Sequence, residues 1–349
     1  MESSLSNAQS VADQTNPRKY EANAEYCFPN PNQPLAKFSH SRNELDLPRN
    51  DPDDDKYVRH VLCDYYGKND AHFLHVMQQL YRCFSFWRDY PNKQAILLLP
   101  DAKVETKLLS HSFTKGIMQI FGSQMGLEMI MKSWFQEAEL SDASHFSEIK
   151  MESFNRIGGY SIRHTKYLNY MADKEWKLKD NSFGTCENAK PRIAILNRAS
   201  NYSRTILNHR LLSDQMKTLS RDNSVPVKYF EGLSFLEQVS FFRSVDILIS
   251  PHGAQLTGLP FMNAPCAHIV ELFPKGYAIP EMFGTLAIES GKDYSYLYIS
   301  NNSSDMEQAK DRRQRKRARS RNLCPSLDVM VEAVRKLADD WRMCCGRRI

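Results

Sequence analysis

The second half of the chain alternates short apolar runs with helix-like stretches, and this alternation limits the fold more than any other feature. Arg192–Leu196 (RIAIL), Val225–Phe230, Val245–Ser250 (VDILIS) and Ala267–Leu272 (AHIVEL) read as strands. Between them, Ser203–Leu219 carries Ile206, Leu207, Leu211 and Met216 broadly on one side of a helix. Ser234–Glu237 (SFLE) is a capping box opening a helix through Phe242, and Ala254–Phe261 reads as a short helix. Strands alternating with helices at this spacing need right-handed crossovers, which makes the sheet parallel. The first half repeats the pattern more faintly. In Asp70–Trp87, the residues Phe73, Val76, Met77, Leu80, Tyr81, Phe84 and Trp87 recur at helical spacing behind Asp70 as an N-cap. Ala95–Pro100 (AILLLP) suits a buried parallel strand. Ser326–Trp341 closes the chain as an amphipathic helix with Leu327, Met330, Val334, Leu337 and Trp341 inward.

At 349 residues and 42% hydrophobic, the chain is long enough for one large domain or two medium ones with a sizeable core. The net charge of +5 points at first to an acidic partner, but it is concentrated in one place. Lys310–Arg321 (KDRRQRKRARSR) holds eight basic residues and one acid, which leaves the other 337 residues at −2. The body is near neutral and carries one basic strip. No apolar run approaches the roughly 18–20 residues of a membrane span. Met1–Asn16 has no signal-like apolar stretch, so an address for the secretory pathway would lie outside this sequence.

Eight cysteines, Cys27, Cys63, Cys83, Cys186, Cys266, Cys324, Cys344 and Cys345, include no C-x-x-C pair. They fit either four bridges in one of about 105 pairings or ordinary buried thiols. Asn201, Asn301 and Asn302 each begin a glycosylation sequon. Asp53–Asp55 follows a Pro-rich stretch instead of a buried strand, so it reads as a solvated acidic turn and not a metal site.

Ligands of parallel α/β sheets bind beyond the carboxyl ends of the strands. Asn197 and Arg198 follow the first strand of the second half, and Arg204 opens the next helix. His252-Gly253-Ala254 joins the VDILIS strand to a helix start, where exposed N–H groups attract an anion. Gly253 would let the backbone bend sharply toward a ligand. Arg198 would add a bidentate phosphate contact, and Glu271 ends the AHIVEL strand. The set has the composition of a diphosphate cradle. Singly, each group has a plainer use: His252 as a cap of its own turn, Arg198 as a surface ion-pair partner.

Residues 234–274 (SFLEQVSFFRSVDILISPHGAQLTGLPFMNAPCAHIVELFP) resemble the signature of glycosyltransferase family 61. The shared elements are an E-Q opening a helix, an apolar strand, H-G-A-x-L-T, a Phe-Met, and a strand ending in E-x-F-P. Asn197-Arg198 with Arg204 and Asn208 resembles the family's upstream strand–helix turn. Ala287 and Tyr294 fit downstream, and Asn69–His75 (NDAHFLH) fits more loosely. Gln255 and Gly258 depart from the common pattern.

The resemblance implies an α/β fold of GT-B type, with two Rossmann-like domains facing across a cleft. A leader (1–56) would precede an N-terminal acceptor domain (57–185) and a C-terminal nucleotide-sugar domain (186–307). A flexible basic segment (308–324) and a final helix (325–349), crossing back to the first domain, would complete the chain. It further implies inverting transfer from a nucleotide sugar, UDP-linked, to a hydroxyl of a glycan or glycoprotein, with no metal or other cofactor, in the ER or Golgi lumen; with no signal or anchor in view, a cytoplasmic or truncated form is the alternative. Arg198 and Arg204 would then bind the diphosphate, within a turn of His252, Gly253, Ala254 and Thr257. Glu271 either accepts a ribose hydroxyl or is a charge-paired strand-end glutamate. The base for the acceptor hydroxyl would come from His72 first, then Asp70 and His75. Two other readings fit the same residues: a nucleic-acid or polyanion binder acting through Lys310–Arg321, or an inactive transferase fold.

Overall fold

The computed structural model describes residues 36–37, 60–65, 73–133, 149–153, 160, 162–178, 186, 190–199, 203–299 and 311–347. Most of the leader lies outside them, as do Asp53–Asp55, Asp70 and His72. The leader does contribute one short strand, β1 (Ala36–Lys37), to a sheet far along the chain.

The first sheet is entirely parallel. It comprises β2 (His60–Asp64), β3 (Gln94–Leu99), β4 (Glu128–Met131) and β5 (Ile149–Ser153) in the order β4-β3-β2-β5. Helix α1 (Phe73–Asp89) follows β2 and buries the residues its period assigns inward, among them Val76, Met77, Leu80, Tyr81, Phe84 and Trp87. The Trp87 Nε1–H donates to Val61 O at 3.1 Å, and a Cys63–Cys83 disulfide fixes β2 to α1. Helices α2 (Ala102–Ser110), capped by Asp101, and α3 (Ser112–Met125) follow β3, and α4 (Thr165–Trp176) follows β5.

The second sheet has the order β1-β10-β9-β8-β6-β7 and is parallel apart from the β1–β10 pair. In chain order it runs β6 (Ile193–Asn197), α5 (His209–Met216), β7 (Val227–Tyr229), α6 (Phe235–Arg243), β8 (Ile247–Pro251), a 3-10 helix (Ala254–Phe261), β9 (His268–Pro274), α7 (Pro280–Glu289) and β10 (Asp293–Ile299). The capping box that opens α6 has both halves in place, Glu237 N to Ser234 Oγ and Ser234 N to Glu237 Oε2. Gly258 is required by packing, because a Cβ there would lie 2.1 Å from the Phe242 ring.

Strand alternation divides the core. Ala194, Leu196, Leu248 and Ile269 face a large cluster shared with α1, α3, α4 and the β2–β3 pair. Ile193, Ile195, Ile247, Ile249, Val270 and Leu272 face the other way, onto α5 and the last helix, α9 (Leu327–Gly346). The two halves therefore meet through a packed aromatic and aliphatic layer. It is pinned by Asn169 Nδ2 donating to Pro260 O at 2.8 Å and by the Arg243–Asp173 ion pair.

Three expectations change. The helix read from Ser203 begins only at His209, since Arg204 has φ +67° and cannot sit inside a right-handed helix. The basic segment is not loose throughout: α8 (Arg312–Arg319) is a helix capped by Asp311. Finally, α9 packs on the second sheet and α5 instead of crossing to the first half. Its end is held by two disulfides, Cys186–Cys345 and Cys266–Cys344. No helix among the described residues is long and apolar enough to cross a membrane.

Candidate functional site

The site is built from the carboxyl ends of β6, β8 and β9. Asn197, the last residue of β6, is fully buried and treats Ile206 as a strand partner. Its Oδ1 accepts from Ile206 N at 2.8 Å and its Nδ2 donates to Ile206 O at 3.1 Å. On its other side Ile206 bridges to Leu323. The loop 203–208 is thus gripped from both edges, and it delivers Arg204 inward at a left-handed backbone position. Only Gly, Asn and Asp reach that conformation at low cost, so the surrounding contacts must hold it there.

Arg204 is 5% exposed, and its Nε and Nη1 are buried without a hydrogen-bond acceptor. Burial pushes its guanidinium down to about 10, and the nearby charges of Arg198 and Arg319 push in the same direction. Unmet N–H groups on a buried cation are costly. An anion seated on them would satisfy them.

Arg198 reaches the same place from the β6 end. A Cβ built on Gly253 would lie 3.4 Å from Arg198 Nη1. Gly253 has extended backbone (φ 170°, ψ 167°), so the bend expected there is not what makes it useful; its missing side chain leaves room beside Arg198. The 3-10 helix beginning at Ala254 presents its first N–H groups at this point. Gln255 Nε2 ties the turn to β6 and β8 through Leu196 O (3.1 Å) and Ser250 Oγ (2.8 Å).

His252 and Glu271 form a buried pair. Glu271 is 0% exposed, and its Oε1 lies 2.6 Å from His252 Nδ1, while its Oε2 accepts from Tyr294 Oη–H. With the carboxyl as acceptor, the imidazole donates from Nδ1. Phe273, Tyr277 and Phe283 surround the imidazole at ring distances of 5.1–5.5 Å. Burial, and then the charge of Glu271, holds the Tyr294 phenol well above its ordinary value, so it remains a donor. Of the two uses open to Glu271, the geometry gives the paired one. Both oxygens are engaged and neither is exposed, so in this arrangement Glu271 orients His252.

Thr257, in the same turn, is engaged internally. Its Oγ1 donates to Ala254 O at 2.5 Å and lies 3.3 Å from Tyr160 Oη. Tyr160 Oη in turn donates to Leu74 O at 2.9 Å, and Tyr81 Oη donates to Thr257 O at 2.7 Å. Thr257 is the fastening point for the start of α1. His75, half-buried in the first turn of α1 with Nδ1 3.0 Å from Gln78 Oε1, is thereby brought to this end of the molecule. His72 and Asp70 lie outside the described residues. The roles of Tyr81, Tyr160, Tyr277 and Tyr294 were missed from sequence, where Tyr81 stands out only by its helical spacing and Tyr294 only by the family pattern.

Comparison with known proteins gives the chain a family. The family model described as Glycosyltransferase 61 matches residues 71–269, more than half of the chain, and includes Arg198, Arg204 and His252. The EGF domain-specific O-linked N-acetylglucosamine transferase of Bos taurus is 39% identical over 88 residues, 25% of this chain and 16% of that protein. The Rattus norvegicus protein of the same name is 39% identical over 77 residues, 22% of this chain and 14% of its own. The chain thus matches only a small part of the length of these relatives. Among solved structures, a family 9 glycosyltransferase from Veillonella parvula DSM 2008 aligns at 10% identity and a TM-score of 0.42, over 82% of this chain and 97% of its own. The extent of the family match shows that this chain belongs to glycosyltransferase family 61.

Proposed function

We propose that the chain is an inverting glycosyltransferase that moves a sugar from a nucleotide sugar, UDP-linked, to a hydroxyl of a glycan or glycoprotein without a metal. The observation that carries this reading is the buried Arg204, with Nε and Nη1 unmet, beside Arg198 and the N–H groups that open the 254–261 helix. Fixed cations and helix-start dipoles are what a departing diphosphate needs. In the reaction the acceptor oxygen bonds to the anomeric carbon from the face opposite the diphosphate. The carbon–oxygen bond to the diphosphate breaks, and its electron pair leaves with the nucleoside diphosphate. The acceptor proton passes to a base at the start of α1, His72 first, with Asp70 and His75 as the alternatives. The Tyr160 bridge between Leu74 O and Thr257 supports that placement. The acceptor would enter between the two sheets, in the manner of a GT-B cleft.

The names of these relatives make UDP-N-acetylglucosamine the first donor to test and an EGF domain the first acceptor. Disulfides at Cys63–Cys83, Cys186–Cys345 and Cys266–Cys344 support an oxidising lumen such as the ER or Golgi.

The test is a panel of UDP-sugars, read by UDP release and by thermal shift. Binding and turnover of at least one sugar are expected, with the anomeric configuration of the product inverted by NMR. The Arg198→Ala change should weaken UDP binding by about 1.5–3 kcal/mol, the value of a charged hydrogen bond. Absence of any UDP-sugar binding at millimolar ligand would overturn the reading.

A further inference from the structure

Helix α8 is seated on the site. Ala318, 5% exposed, is its inward residue, and a Cβ built on Gly276 would lie 3.2 Å from the Ala318 methyl. Gly276 has φ +81° at the turn leading into Tyr277. The Arg315 guanidinium lies over the Tyr277 ring at 5.6 Å, and that ring is 5.5 Å from the His252 ring. The chain leaving α8 runs directly to the Arg204 loop. Asn322 Oδ1 accepts from Thr205 N at 3.2 Å, Leu323 N donates to Thr205 O at 2.9 Å, and Leu207 N donates to Leu323 O at 2.8 Å. Asn208 Nδ2 then donates to Pro325 O at 2.8 Å. The helix therefore touches the Tyr277 turn at its middle and is sewn to the Arg204 loop just past its end.

A helix turns about 100° per residue. With Ala318 inward, Arg315 and Arg319 fall on one flank, about 60° and 100° round, and Arg313 and Arg317 on the other. Arg319 is also among the charges that bear on Arg204.

We propose that α8 is a third wall of the nucleotide site, and that Arg315 and Arg319 attract a nucleoside diphosphate together with Arg204 and Arg198. The proposal rests on the reading of this site as a diphosphate site. It assigns the basic strip to that ligand in place of a nucleic acid or another polyanion. The charge of the ligand gives the flank a particular use. A nucleotide sugar carries about −2; once the sugar leaves, the terminal phosphate gains close to one more negative charge at neutral pH. Exposed cations on one flank therefore favour the departing product over the donor.

The test compares wild type with Arg315→Gln/Arg319→Gln and with Arg313→Gln/Arg317→Gln, which removes the same charge from the other flank. Each is titrated with UDP and with uridine at low salt and at about 1 M salt, where the Debye length falls to about 3 Å. The Arg315/Arg319 pair should weaken UDP binding roughly three- to tenfold at low salt. At high salt the loss should be less than about twofold. Uridine binding and the thermal midpoint should be unchanged, and the Arg313/Arg317 pair should bind UDP as wild type does. If wild type binds UDP and both pairs weaken it equally, or neither does, the wall proposal is overturned while the site reading stands. If wild type binds no UDP at all, the site reading fails and takes the wall with it.

Discussion

Replacing Arg204 with methionine is expected to raise the stability of the unliganded protein while removing its affinity for UDP. The guanidinium is buried, two of its nitrogens have no acceptor, and its pKa is pushed down to about 10 from 12.5, chiefly by burial. A cation depressed in this way costs the folded state on the order of 3 kcal/mol before relaxation. Methionine keeps much of the volume without the charge, so a gain of about 1–3 kcal/mol is expected, or roughly 2–6 °C in the thermal midpoint. The sign holds across mild pH. Below about pH 10 Arg204 is protonated in both folded and unfolded chains, so no proton is exchanged and the difference between variant and wild type stays flat. UDP should lose about 3–5 kcal/mol, because two charged N–H contacts disappear together. Calorimetric melting with and without UDP checks both halves. A variant that melts lower yet binds UDP as wild type does would make Arg204 a structural cation.

The second large effect belongs to Glu271. The Glu271→Ala change strips the acceptor from His252 Nδ1–H and from the Tyr294 phenol inside an aromatic enclosure. Two orphaned donors in a dry site should cost about 3–5 kcal/mol in urea unfolding. Glu271→Gln keeps one acceptor oxygen but turns an amide N–H toward a donor, for about 1–3 kcal/mol, and Tyr294→Phe about 1–2 kcal/mol. Since both changes act on the same carboxylate, their double variant should fall short of the sum. A ribose-binding Glu271 would behave differently, with a raised KM in Glu271→Gln and an unchanged unfolding midpoint.

What could be read from the sequence was what local pattern controls. The strands around residues 193, 247 and 268 lay within two residues of their expected starts, because short apolar runs bounded by polar turns have few other uses. The Ser203 helix misled for a physical reason. Ile206 and Leu207 mimic a helical period, but Ile206 is buried by pairing with Leu323, a partner more than a hundred residues away that no local window contains. Strand β10 was noticed only as a family match at Tyr294; its alternating tyrosines look polar until the partner of Tyr294, the buried Glu271, is in place. The order in α8 did have a local signal. Asp311 with Gln314 three residues on is an N-cap pattern, but it was masked by the charge run behind it. That Arg198, Arg204 and His252 meet at one sheet edge was legible because all three follow strand ends of the same parallel sheet. The internal engagement of Thr257 and Glu271 was not, since it depends on Tyr160 and Tyr294 arriving from elsewhere.

The adjacent cysteines at the end of α9 give the molecule an exchange junction. Cys344 and Cys345 bond to Cys266 and Cys186, and the sulfurs of Cys186, Cys266 and Cys345 all lie within 4.8 Å of one another. A thiolate formed there has an intact bridge within reach of attack. Losing Cys344 alone therefore does more than open one bond, because it arms Cys266 against the Cys186–Cys345 bridge. A Cys344→Ser chain should give mixed disulfide isomers in a non-reducing peptide map, whereas Cys266→Ser/Cys344→Ser should give one. The two staples at the C-terminal end survive or reshuffle as a unit, and a host that leaves either one reduced will yield a population of isomers.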